Sequence, residues 1–170
     1  LGFLNLLLGW SHHIYILPAA KWVRLVGYAM SMTELIVLAK IIWDWKGLIN
    51  QGKKHIDSIS YRFLLASDFW IVINLILAIL ISIPAINIFT HGTHITVAHA
   101  MGSTIGINSM ILFAAIFYMI SENRKEEFNK AQLKLIYRGF WITNISLVIF
   151  WVSLIFSGVL KSYYTFQNLS

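Results

Sequence analysis

Six histidines and five methionines are the soft metal ligands of this 170-residue chain, which contains no cysteine. Disulfides, zinc–thiolate sites and Fe–S clusters are thereby excluded. Three of the histidines fall in Thr90-His91-Gly92-Thr93-His94-Ile95-Thr96-Val97-Ala98-His99-Ala100-Met101-Gly102, at the mouth of an apolar run from Ala98 to Ile120. Ionisable groups are costly at membrane depth and are functional candidates there. On a helix running from Ala98, His99 and Met101 stand two residues apart, about 200° around the axis. They address nearly opposite faces and could each ligate a different metal centre. The competing reading makes His94 and His99 satisfied polar residues between helices and Met101 a core filler. A second pair, His12-His13, cannot face one way on a regular helix, where neighbours are ~100° apart. At a turning helix end the two can converge on one metal, and imidazole suits Fe, Cu or Zn.

Two histidines leave such a site short of ligands. Glu34 lies ten residues beyond Arg24 in an apolar stretch, ~15 Å along a helix. An unpaired carboxylate at that depth is expensive. Lys40 follows six residues later, on the opposing side of the helix, so Glu34 needs a partner from another segment. A metal site or a proton path is the economical candidate. Lys40 and Asp44 are expected to snorkel toward the nearer membrane surface.

The elements that position these residues follow from composition. The chain is 58% hydrophobic and only 12% charged, which is the balance of an integral membrane protein. Full spans are expected at 24–45, 63–83, 98–120 and 139–160. A partial span ends near Trp10, because Leu1 to Trp10 is too short for the ~20 residues a crossing needs. The expected fold is an all-α integral membrane bundle of four full spans plus one partial, a single membrane domain over 1–170. Leu1 opens directly into an apolar stretch, as in a piece of a longer polypeptide cut inside a span. Pro84 is expected to close the second span, with 84–97 a connector and 121–138 a charged amphipathic loop.

The net charge of +6 reads as a topology signal rather than as nucleic-acid binding, because the cations sit in short loops. Lys46, Lys53, Lys54 and Arg62 mark one loop, and Arg124, Lys125, Lys130, Lys134 and Arg138 the other. The connector 84–97 has no Lys or Arg. The positive-inside rule places 46–62 and 121–138 in the cytoplasm, with Lys21 and Arg24 the competing signal. His12, His13, His91, His94 and His99 then gather toward the outer side, and only His55 lies elsewhere.

His12-His13 followed by Tyr15, Glu34 within a span, and Thr90-His91-Gly92-Thr93 leading to Ala98-His99 resemble the heme–copper oxidase superfamily. Within it the chain is most similar to the catalytic (large cytochrome b) subunit of respiratory nitric oxide reductases, as the last third or so of that subunit without its final helix. The resemblance implies two hemes b and a non-heme iron. His12 and His13 would be ligands of the iron, and His99 the axial ligand of the high-spin heme. Glu34 would be the catalytic carboxylate that handles protons or holds the iron site. His91 and His94 would lie near heme propionates. The chain departs from the family pattern His-x-His at His99-Ala100-Met101. Either Met101 replaces the second histidine as axial ligand of the low-spin heme, or that heme is bound differently or absent. A methionine ligand would raise the potential relative to bis-histidine.

The implied reaction reduces two NO to nitrous oxide and water in the cytoplasmic (inner) membrane of a cell, with the metal site toward the outer side. Electrons would come from a cytochrome c subunit or quinol. The implied partners are NO, membrane lipid and the remaining part of the subunit, which would carry the missing ligands; no nucleic acid is expected. Three other readings compete: an oxygen reductase of the same superfamily, a non-catalytic diheme electron-transfer anchor, and a structural membrane subunit without cofactor.

Overall fold

The computed structural model describes residues 18, 20–33, 35–37, 39–41, 43–44, 47, 58–124 and 128–169. Every regular element among them is helical, as lipid requires: without water, a spanning backbone must satisfy its own polar groups. The elements are α1 (Lys21–Met32), α2 (Ile59–Ser82), α3 (Pro84–Thr90), α4 (His94–Met101), a π-helical segment (Gly102–Ser109), α5 (Met110–Asn123) and α6 (Lys130–Leu169). Four helical stretches are long and apolar enough to cross a membrane, over Lys21–Ile41, Ile59–Ser82, His94–Asn123 and Lys130–Asn168. The chain is a multi-pass membrane protein. The expected partial span near Trp10 lies outside the described residues.

Three boundaries differ from the sequence expectation. Residues 84–97 are largely helical rather than an extended connector. Ile83 is extended, with ψ 120°, because proline disfavours helical backbone in the residue before it. Pro84 then occupies the first turn of α3, where its missing N–H costs nothing. The Asn87 side chain donates to the Ile81 carbonyl at 2.8 Å, satisfying one acceptor left open at the end of α2. The third span begins at His94 rather than at 98. The fourth begins at Lys130 and continues to Leu169, so 130–138 is helix rather than loop and the short tail from Lys161 is helix too. Its start is set by a reciprocal cap, in which Asn129 N–H donates to Gln132 Oε1 at 3.0 Å and Gln132 N–H to Asn129 Oδ1 at 2.8 Å. Two donors at a helix start are satisfied at once.

Packing centres on α2. Phe63 stacks on Phe117 at 5.4 Å and meets Phe140 edge-on at 5.0 Å, offset geometries that aromatic pairs prefer. Trp70 is fully buried and donates to Asn144 Oδ1 of α6 at 3.3 Å. It can enter because Gly106 has no side chain. A Cβ there would lie 2.6 Å from Trp70 Cδ2. Gly102, four residues earlier, admits Asn74 in the same way, its Cβ position falling 2.5 Å from Asn74 Oδ1. Asn74 Nδ2 donates to Ser103 Oγ at 2.7 Å. The π-helical segment is therefore a place where α2 packs tightly against the helix carrying His99 and Met101. π turns are rare and are common at functional sites.

This packing gives the molecule two unlike ends. The start of α2, the end of α5 and the start of α6 gather Arg62, Arg124, Lys130, Lys134 and Arg138, with Arg62 lying 4.6 Å over the Tyr137 ring. At the other end α3 and α4 meet the last turns of α6, where Ser162 Oγ donates to the Phe89 carbonyl at 2.7 Å. His91 and His94 lie at that end. The sequence grouping of basic loops at one face and histidines at the other is reproduced among the described residues.

Candidate heme-ligating helix

The site-bearing turn is built from its smallest residue. Gly92 has φ +72°, the only positive φ among the described residues. Glycine adopts that conformation without the Cβ clash other residues meet, and the chain turns there from α3 into α4. Thr93 caps α4. Its buried hydroxyl accepts from Ile95 N–H at 3.2 Å and donates to the Thr90 carbonyl at 2.6 Å, a threonine N-cap that fixes the first helical turn.

The rotation of α4 is fixed by what it buries. Ile95 and Ala98 are enclosed, and Gly102 continues their strip against α2 and α6. His99 follows Ala98 by one residue and Met101 precedes Gly102 by one, so the two flank the buried strip on opposite sides. Each is half-buried, and the His99 Nδ1 atom is enclosed by protein. The expected division of the two side chains between different faces of one helix therefore holds in the backbone geometry.

His91 and His94 sit at the head of the same element. His91 is half-buried at the end of α3, its N–H donating to the Asn87 carbonyl at 2.8 Å. His94 is exposed, with Nδ1 3.3 Å from Ser157 Oγ of α6. His12, His13 and Glu34 lie outside the described residues. Among the described residues no three His, Asp or Glu side chains converge on a metal position. A neutral imidazole and a thioether are both heme axial donors, and their placement on the two flanks of a helix fits two separate planar groups rather than one shared ion.

Several residues that sequence reasoning passed over hold this turn in place. Lys161 Nζ donates to the Gly92 carbonyl at 3.1 Å, beside the Ser162 and Ser157 contacts. Gly158 lets α6 approach the backbone itself: a Cβ there would stand 2.6 Å from Ile95 N. Ser157-Gly158 and Lys161-Ser162, one turn apart, were visible as small and polar residues closing an apolar run. Nothing local pointed to partners more than sixty positions earlier. Lys40 and Asp44, expected to snorkel toward the same surface, form an exposed ion pair at 2.7 Å.

The family described as cytochrome c and quinol oxidase polypeptide I matches residues 1–166. The chain belongs to that family, the subunit I superfamily of heme–copper oxidases. Cytochrome c oxidase subunit 1 of Rhodobacter capsulatus is 25% identical over 163 residues, covering 88% of this chain and 29% of that protein. The bacteroid cytochrome c oxidase subunit 1 homolog of Bradyrhizobium diazoefficiens is 24% identical over 170 residues, covering 91% of this chain and 29% of that protein. A cytochrome c oxidase subunit 1 homolog of Agrobacterium tumefaciens is 24% identical over 149 residues, covering 82% and 26%. The chain thus spans less than a third of the length of these relatives. Membership in that family agrees with the four helices long and apolar enough to cross a membrane.

Proposed function

We propose that the chain is the C-terminal portion of a terminal reductase subunit whose substrate is nitric oxide. The class rests on one observation above the rest, the half-buried His99 and Met101 on opposite flanks of α4 in a chain covered by the family over 1–166. His99 would hold the high-spin heme and Met101 the low-spin heme. His12 and His13 would hold a non-heme iron, with further ligands supplied by the rest of the subunit. When bound, these groups would relay two electrons from the cytochrome c or quinol donor and offer the metal-held surface at which two NO and two protons give nitrous oxide and water.

The protein's own part is positioning and proton handling. The capped turn and the α6 contacts fix the rotation of α4, and with it the flank on which the His99 imidazole would meet a heme. His91 and His94 would stand near the propionates at the same end, which would face the outer side of the inner membrane. Glu34, a carboxylate about two dozen residues beyond His12-His13, carries the resemblance to the nitric oxide reductase branch and so favours NO over oxygen as the substrate, where it would hand protons to the site. The names of the relatives favour a second reading, in which the substrate is oxygen and the non-heme metal is copper.

Turnover of the complete subunit separates the two. The expected outcome is NO consumption with nitrous oxide release, together with iron rather than copper beyond the heme content. Glu34→Gln should lower NO turnover far more than protein yield. Oxygen consumption in a copper-containing preparation that leaves NO untouched would establish the second reading instead.

A further inference from the structure

A groove of roughly 540 Å³ runs between α2 and α6. Its walls are apolar, with Leu65, Phe69, Ile145, Val148 and Ile149 along them, and Arg62 stands at one end. Phe140 and Ile149 mark its extent on α6, nine residues or ~13.5 Å along the axis. That is close to half of a ~30 Å hydrocarbon core, the depth of one leaflet. Trp141 belongs both to this groove and to an adjoining depression lined by Lys130, Lys134 and Arg138. Arg138 precedes Trp141 by three positions and so shares its face of α6 one turn nearer the basic end. Among the described residues no acidic side chain lines either surface.

Apolar for one leaflet and cationic at its end, with an exposed tryptophan at the boundary where indoles concentrate, the groove matches one kind of molecule. We propose that the groove between α2 and α6 binds an anionic diacyl phospholipid, with an acyl chain along Phe69, Val148 and Ile149 and the phosphate met by Arg62 and Arg138. Basic pockets between transmembrane helices recognise acidic headgroups in this way. A second transmembrane helix would suit the apolar wall but would find no use for two guanidinium groups at its end. A free phosphate would use the cations and ignore the wall.

The test is native mass spectrometry of the complete subunit reconstituted in equal phosphatidylglycerol and phosphatidylcholine. Retained phosphatidylglycerol should exceed phosphatidylcholine. Each cation at the site is worth about fivefold in that preference, so Arg138→Gln should lower it about fivefold and Arg62→Gln with Arg138→Gln further. Arg62→Lys should keep most of it, which separates charge from the packing of Arg62 on Tyr137. Val148→Trp, which fills the wall, should lower retention of both lipids. A preference unchanged by the double substitution would overturn the proposal. So would retention unchanged by Val148→Trp, the result expected if another helix of the assembly occupies the groove.

Discussion

The basic end and the histidine end of this bundle are held together by different physics. Toward the basic end the contacts are rings, with Phe63, Phe117 and Phe140 packing by geometry, and midway along the bundle Trp70 closes on Gly106. At the histidine end they are hydrogen bonds aimed at backbone carbonyls, from Lys161 to Gly92, from Ser162 to Phe89 and from Asn87 to Ile81. Burying an apolar side chain against a helix gains little in lipid, since acyl chains are equally apolar. The basic end therefore draws its specificity from shape. The histidine end holds in a fixed rotation the turns that carry the proposed ligands His99 and Met101, and a functional constellation tolerates only about 0.5 Å of slack. Directional bonds to the main chain supply that.

Gly158 gives the sharpest way to break the comparison. A Cβ at this position would meet Ile95 N at 2.6 Å and the His94 carbonyl carbon at 3.2 Å, and backbone cannot rotate aside as a side chain can. Gly158→Val should part α6 from α4, with a cost on the order of 3 kcal/mol or more, and should strip heme from the complete subunit. Gly106→Ala, midway along the bundle, meets only the Trp70 ring, though that ring is fully buried. Its expected cost is about 1–3 kcal/mol, with heme content largely kept. Thermal denaturation and pyridine hemochrome on both variants check the order, and heme lost from Gly106→Ala but not from Gly158→Val would reverse it.

Met101 comes next, because it separates a ligand from a packing residue on the same helix. Met101→His should keep a low-spin heme and lower its reduction potential, whereas Met101→Leu should convert it to a high-spin or empty site. An unaltered low-spin spectrum in the leucine variant would return Met101 to packing and leave the role of His99 untouched.

Much of this fold could be read from the chain, and what could not has a common cause. The four spans, and the grouping of cations at one end and histidines at the other, follow from hydropathy and charge, which are summed over many residues. The ends of α6 were missed because a hydropathy window sees only the hydrocarbon-spanning part of a helix. The Asn129-x-x-Gln132 cap that starts it was nevertheless written in the sequence. Pro84 was read as a stop and is the first residue of a new helix, since the same fixed φ serves both. The π-helical segment has no local signature. It depends on Trp70 and Asn74 reaching Gly106 and Gly102 across a gap of roughly thirty residues. The candidate residues could be named from residue type alone, and in the structure His99 and Met101 stand on two flanks of α4. The Ser157–Ser162 clamp was not legible, because its partners are distant in sequence and common in type.

Smaller effects test whether hydrogen bonds inside the bundle carry more weight than packing. Ser162→Ala removes a 2.7 Å bond to Phe89 O and should cost ~1 kcal/mol. A double-mutant cycle on Trp70→Phe and Asn144→Leu should show coupling of about 0.6 kcal/mol, the usual worth of a side-chain bond between membrane helices. Coupling well above that would mean the middle of the bundle also relies on directional bonds.

The smallest effect is expected at Lys40–Asp44. The pair is short, 2.7 Å, but its side chains are 74% and 52% exposed, so solvent competes for both charges and long side chains must be ordered to hold the contact. The lysine also precedes the aspartate at i, i+4, the less favourable order along a helix dipole. Lys40→Ala should therefore cost only ~0.3–0.5 kcal/mol, and the difference should shrink when ionic strength is raised from 0.01 M to 1 M, where the Debye length falls from about 30 to 3 Å. Thermal denaturation of the complete subunit at the two salt concentrations measures both. A loss above about 1 kcal/mol that salt does not reduce would place the pair inside the full assembly, shielded by a neighbouring segment, and would make it a third polar anchor alongside Lys161 and Ser162.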